Sequence, residues 1–242
     1  MVNRARAGVA AFAIALCAAG VAATNGRADA STAKAGSGAL IPGNLLVSES
    51  AYTKAPRIVA GQTQLPPGCT GSNCVTAIAN GSYPQVFNNA LVDGSFGVTS
   101  RIFLSEMTPS GVPLGTITVP PGRLVTSFSS KSELALNLSP DGSTLSFMGY
   151  AAKPGDLDVS NSNTPDVIVP TNPVPSAYYR AAAQMSANGP LRITETNAYS
   201  GNNGRAAITA NAGGHELIYT AGNAGNGSTP QPNGVILARG RS

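Results

Sequence analysis

The chain has 242 residues, of which only 11% are charged, with 28 glycines, 18 prolines and no tryptophan. Basic residues outnumber acidic ones by 15 to 11, yet no stretch gathers Lys and Arg into a patch or interleaves them with Tyr and Phe. That excludes the electrostatic footprint of a nucleic-acid binder. Solvent is met mostly by hydroxyls and amides, a composition that suits short strands joined by many turns.

Residues 1–30 read as a secretory signal peptide. Arg4 and Arg6 precede an uncharged run over residues 9–23, and small-residue cleavage patterns end at Ala23 and at Ala30, the second being preferred. Cys17 follows Leu16, where a lipoprotein signal would place a small residue. The run is shorter than the roughly 20 residues needed to cross hydrocarbon, so no membrane span is expected after cleavage. The product is then secreted, periplasmic or held at the cell surface. Arg4, Arg6, Arg27 and Asp29 leave with the signal, so the mature part is close to neutral.

Residues 31–43 are small, polar and glycine-containing, which predicts a flexible lead-in. A β-repeat domain is predicted over 44–242. It opens with short strand candidates at 45–47 and 58–60, followed by a loop holding Cys69 and Cys74. An even pair of cysteines in an exported chain favours a disulfide, with two free thiols as the alternative. Closing so short a loop would stabilise the fold by about 2 kcal/mol.

Two β units are then predicted, at about 101–150 and 178–222. The first places strands at 102–104 and 116–119 around a turn at 108–111, a break at Pro120, Pro121 and Gly122, and a hairpin over 134–147. The hairpin turn, Ser139 to Gly142 with Pro140 in second place, fits type I chemistry. The second unit starts with 178–183, whose alanine run also suits a helical turn. It continues through a turn at 186–189 and a strand at 191–194 to a second hairpin over 206–219. Leu136, Leu145 and Phe147 return there as Ile208, Leu217 and Tyr219 at one constant offset. Apolar alternation on both sides of each turn is the period of a strand with one buried face.

A hairpin cannot bury its own apolar face, so repetition implies assembly. The predicted fold is all-β: an incomplete β-propeller-like array of four-stranded antiparallel units after an N-terminal signal helix, with an irregular sandwich as the alternative. Two units are fewer than the roughly four blades of a closed propeller, and residues 234–239 read as the start of a third strand set. The expectation is therefore an incomplete C-terminus, or strand edges supplied by a partner.

Residues 83–89 (YPQVFNN), 93–100 (DGSFGVTS), 127–136 (SFSSKSELAL) and 222–227 (GNAGNG) resemble a family of uncharacterised exported, repeat-containing, β-propeller-like proteins whose members are longer than this chain. The resemblance implies the fold and carries no catalytic residue.

Chemistry is sparse. His215, the only histidine, falls in the turn of the second hairpin, where a solvated side chain is expected, not the base of a Ser-His-Asp relay. Glu106, Glu133, Asp141, Glu195 and Glu216 are scattered over strand ends as conceivable acids or bases. No glycine-rich phosphate motif opens a helix. The one candidate metal site is the loop over residues 156–166, where Asp156, Asp158 and Asp166 among hydroxyls and amides suit calcium. That loop lacks the central glycine and terminal glutamate of an EF-hand, and a plain loop of Asx turns is the preferred reading. Tyr178, Tyr179, Tyr199 and Tyr219 are candidate aromatic platforms or packing residues. The expected function is a non-enzymatic extracellular binding or structural module for a glycan or protein partner. The alternative is an exported propeller enzyme, a hydrolase or lyase.

Overall fold

The computed structural model describes residues 39–51, 59, 61–65, 74–76, 98–127, 134–172, 174, 176–212, 215–225 and 231–238. The predicted signal helix, Cys69 and Glu133 lie outside them. Among the described residues no helix is long and apolar enough to cross a membrane.

The structure is all-β and antiparallel. Its strands are β1 (Leu45–Ala51), β2 (Gln64–Leu65), β3 (Val75–Thr76), β4 (Thr99–Met107), β5 (Pro113–Thr118), β6 (Thr126–Ser127), β7 (Asn137–Leu138), β8 (Thr144–Tyr150), β9 (Arg180–Ser186), β10 (Arg192–Thr196), β11 (Gly204–Ala212), β12 (His215–Gly222) and β13 (Gly234–Ala238). Strands β1, β4 and β5 form the first sheet in that order, with β6 also paired to β4. Strands β7 to β10 form the second and β11 to β13 the third, each a meander in chain order. β2 and β3 pair separately.

The predicted units divide the strands differently. The four-stranded sheet takes its first two strands from the 101–150 unit and its last two from the 178–222 unit. β8 pairs with β9 across the whole 151–179 connection, in register from Thr144 with Ser186 to Tyr150 with Arg180. A contact so distant in sequence leaves no local signature. The strand at 234–238 is likewise no third set: it is the third strand of the last sheet, pairing with β12.

The second sheet is covered on both faces. Phe147, Ala181, Ala183 and Met185 join Ile102 and Leu104 of β4 and Leu136 in one core. On the opposite face, Met148 and Ala182 join Ala207, Ile218 and Ala238 of the third sheet. This explains the alanine run that also suited a helical turn. Ala181, Ala182 and Ala183 are fully buried, alternate between the two faces, and let both neighbouring sheets approach closely. Polar groups caught between sheets are paired, as burial requires. Ser146 and Thr209 share a hydroxyl contact of 2.7 Å, Gln184 Nε2 donates to Thr209 Oγ1 at 2.9 Å, and Ser48 Oγ donates to the Leu134 carbonyl at 2.7 Å.

The predicted turns close as their chemistry requires. The Gly142 amide donates to the Ser139 carbonyl at 2.8 Å and the Gly111 amide to the Thr108 carbonyl at 2.8 Å. Both glycines have positive φ, 73° and 84°, which an L side chain adopts only with strain. The described part of the predicted lead-in is anchored. The Leu40 amide donates to the Ala187 carbonyl, and Glu106 Oε1 accepts from the Ile41 amide at 2.7 Å and from Asn44 Nδ2 at 2.9 Å.

The two echoing hairpins share one register. Asn137 faces Ser146 and Leu138 faces Leu145, while Thr209 faces Ile218 and Ala210 faces Leu217, each shifted by the same number of residues. Their burial is opposite. Leu136 and Phe147 are 4% and 0% exposed, whereas Ile208 and Tyr219 are 38% and 36% exposed. Leu136 and Phe147 face the first sheet, whereas Ile208 and Tyr219 point away from the second, so the matched positions are covered in one hairpin and open in the other.

Candidate functional site

Strands β8, β10 and β12 deliver their C-terminal ends to one end of the stack, where the connections over 151–179, 197–203 and 223–233 meet. Arg180, the first residue of β9, holds this end together. It is fully buried, with its guanidinium 5.4 Å from the centroid of the Tyr150 ring. Its Nε donates to the Asn202 carbonyl at 3.0 Å and its Nη1 to the Tyr178 carbonyl at 2.8 Å. Its Nη2 donates to the carbonyls of Ser160 at 2.9 Å, Ser162 at 2.9 Å and Asn202 at 2.7 Å. One planar donor fork thus satisfies loop carbonyls that would otherwise be stranded away from water. Tyr150 adds a bond from its hydroxyl to Asn203 Oδ1 at 3.1 Å.

Backbone strain gathers here as well. Asp158, Asp166 and Tyr199 have φ of 57°, 66° and 63° and are the non-glycine residues with positive φ among those described. For a bulky side chain such as Tyr199 this conformation is an outlier, costing about 1–3 kcal/mol. The cost is offset by full burial and by bonds from its hydroxyl to the Gly234 carbonyl at 3.1 Å and with Thr220 Oγ1 at 2.9 Å. Burial pushes the Tyr199 phenol pKa up. Gly222 makes this packing possible: a Cβ there would stand 2.5 Å from the Asn203 carbonyl and 2.8 Å from the Tyr199 ring.

Beside this knot opens a cavity of about 470 Å³, lined by Arg123, Lys153, Asp156, Tyr178, Ile193 and Glu195 among others. Arg123 and Lys153 are exposed, while the other four are half-buried. Tyr178 packs on the core of Val125, Tyr150, Ala152 and Val159, which fixes its ring at the wall. Asp156 is held at three points. Its amide donates to Thr99 Oγ1 at 2.9 Å, its carbonyl accepts from the Thr99 amide at 2.9 Å, and its Oδ2 accepts from the Lys153 amide at 3.1 Å. The wall therefore offers an aromatic ring, two cationic donors and two carboxylate acceptors within one recess. A second cavity, about 410 Å³ at the opposite end, is mainly aliphatic, lined by Leu40, Leu46, Leu136, Leu145 and Met185 among others.

In the candidate calcium loop two of the three carboxylates accept from the chain's own donors. Asp156, Asp158 and Asp166 form no group able to hold a metal ion among the described residues. Asp156 turns its carboxylate to the Lys153 amide. Asp158 is 2% exposed and accepts from Asn161 Nδ2 at 2.5 Å. Burial pushes its pKa up to about 8, against a smaller downward pull from the Asn161 bond, so it is protonated near neutral pH. The run of oxygen-bearing side chains serves turn formation.

The other predicted residues are dispersed. His215 is exposed beside the second hairpin turn. Asp141 caps the first hairpin turn, and hydrogen bonds from Ser139, Asn211 and Ser143 hold its carboxyl well below the usual range. Glu216 accepts from Gln184 Nε2 at 2.7 Å and pairs with Arg192, and Glu106 holds the lead-in. Of these carboxylates only Glu195 faces the 470 Å³ cavity. Of the tyrosines, Tyr178 lines the cavity, Tyr199 is buried packing and Tyr219 lies exposed on the last sheet. Cys74 stands just before β3. Sequence reasoning missed Arg180. Its signal is a charge at the entry of an alanine strand buried on both faces, where an unpaired cation could not remain. Comparison of the chain with models of known families, with curated proteins and with solved structures finds no match.

Proposed function

We propose that this chain is an exported, non-enzymatic binding module that takes a glycan in the cavity beside the Arg180 knot. The observation carrying this reading is the wall of that cavity. A fixed tyrosine ring suits the apolar face of a sugar, while Arg123, Lys153, Asp156 and Glu195 supply donors and acceptors for hydroxyls. Such a recess, mostly pre-formed and dressed with a few convergent polar groups, is the usual form of a small-ligand site. In this reading the three stacked sheets are blades of a propeller-like array, supported by the chain-order meanders of the second and third sheets and by face-to-face packing. Export by the signal over residues 1–30 and a Cys69–Cys74 disulfide complete the proposal.

A glycan array probed with the full chain tests it. Selective binding is expected, weakened at least about tenfold by Glu195→Gln and by Arg123→Ala, with thermal melts unchanged. Absence of binding to every glycan overturns the reading. Turnover of any glycan in a parallel hydrolase and lyase panel replaces it with the enzymatic alternative.

A further inference from the structure

We infer that the outer face of the third sheet is a self-association surface that seats the same face of a second copy of this chain. Ala207, Thr209, Ile218, Thr220, Ile236 and Ala238 point from this sheet toward the second one, being buried or packed against its core. The alternate positions point away. They carry five large apolar side chains, Ile208, Leu217, Tyr219, Val235 and Leu237, with alanine between them. Register aligns them into rows. Ile208 is opposite Tyr219, Tyr219 is opposite Leu237, and Ala221 is opposite Val235. Val235 is 74% exposed and Leu237 40%. Among the described residues Arg205 stands exposed at the bulge beside Ala206, at one end of these rows, and His215 stands past the other end, at the hairpin tip.

The molecule itself shows what such a face accepts. The first hairpin presents Leu136 and Phe147, the residues that correspond in register to Ile208 and Tyr219. It buries them under another β-sheet, against Ile102 and Leu104 of β4. The third sheet carries the same chemistry uncovered, so its fitting cover is a β-sheet face of similar make. A second copy supplies one. Across a twofold axis the apolar rows meet themselves, with Arg205 left at their edge, and the large side chains can enter the notches left by Ala206, Ala210 and Ala221.

Three strands about 4.8 Å apart over five residues give a few hundred Å² per copy. That is well below the roughly 800 Å² per partner of a tight complex. The dimer is therefore reversible and concentration-dependent.

Sedimentation velocity from low to several hundred micromolar tests this. The weight-average coefficient should climb toward the dimer value, and Tyr219→Lys and Leu237→Lys should each weaken association at least about tenfold. Leu138→Lys, at a site 57% exposed on the second sheet, should leave it unchanged. All three positions are solvent-facing, and thermal melts would verify folding. A monomer at every concentration, a dimer indifferent to the two face variants, or growth past the dimer into open-ended stacks would each overturn the inference.

Discussion

The hairpins β7–β8 and β11–β12 pair in the same register and present matching residues, yet one buries its matched face and the other exposes it. Pairing is decided within the hairpin, by alternation and turn chemistry. Burial is decided by which sheet arrives to cover which face. Phe147 and Tyr219 are thus equivalent in pairing and not in energy. The largest effect expected from the comparison follows: Phe147→Ala should cost about 3–5 kcal/mol, as a fully buried aromatic in a packed core does. Tyr219→Ala should cost less than about 1 kcal/mol, since it leaves no cavity. Urea melts of both variants at concentrations where the chain is monomeric decide the matter. Equal losses would mean that the outer face of the third sheet is covered within the monomer.

Two aspartates near the first hairpin sharpen the contrast through pH, because their shifts have opposite sign. The Asp158 pKa is raised in the folded state from 3.8 to about 8, so the folded chain holds a proton that the unfolded chain has released. Stability should therefore fall as pH rises from about 4 to about 8. The contribution of this one group is at most about 1.4 kcal/mol per pH unit. Asp158→Asn should flatten that limb. Asp141 works in reverse. Its lowered pKa contributes stability above the ordinary carboxylate value, and this is lost as acid protonates the folded form. The Asn211 Nδ2 bond to Asp141 Oδ2, 2.6 Å long, joins the two hairpins, so Asp141→Asn should remove the acid limb alone. Thermal melts of the three proteins from pH 3 to pH 9 test both signs. A wild-type stability that stays level between pH 5 and pH 8 would contradict the buried, protonated Asp158.

What could be read from the residues follows the same division between local and distant causes. The turns at Gly111 and Gly142 and the register of both hairpins were legible, because each depends on neighbours a few residues away. The grouping of strands into sheets was not. β8 and β9 meet across the 151–179 connection, and nothing in either strand names the other. Which face of the second hairpin is buried was also hidden, because Thr209 and Thr220 on its inner side are no more apolar than Ile208 and Tyr219 on its outer side. At the candidate site, Tyr178 and the polar loop stood out by composition. The role of Arg180 depends on carbonyls from Ser160, Ser162, Tyr178 and Asn202, which only the folded chain brings together. The loop of Asp156, Asp158 and Asp166 was ambiguous in the sequence because oxygen-rich side chains serve turns as readily as they serve cations.

The smallest effect isolates turn chemistry from packing. Gly142 has φ of 73°, and a Cβ built on it would meet nothing within 4 Å. Substitution there therefore costs only the strain of a left-handed backbone, about 1 kcal/mol for Gly142→Ala. Asparagine tolerates this conformation better than other L residues, so Gly142→Asn should recover part of the loss, while the β-branched Gly142→Val should exceed it. Gly222→Ala forms the control from the third sheet, where the clash with Asn203 and Tyr199 should cost more than any of the three. If alanine, asparagine and valine at position 142 melted at the same temperature, backbone strain would not be what fixes this turn. The shared register of the two hairpins would then have to come from their strands alone.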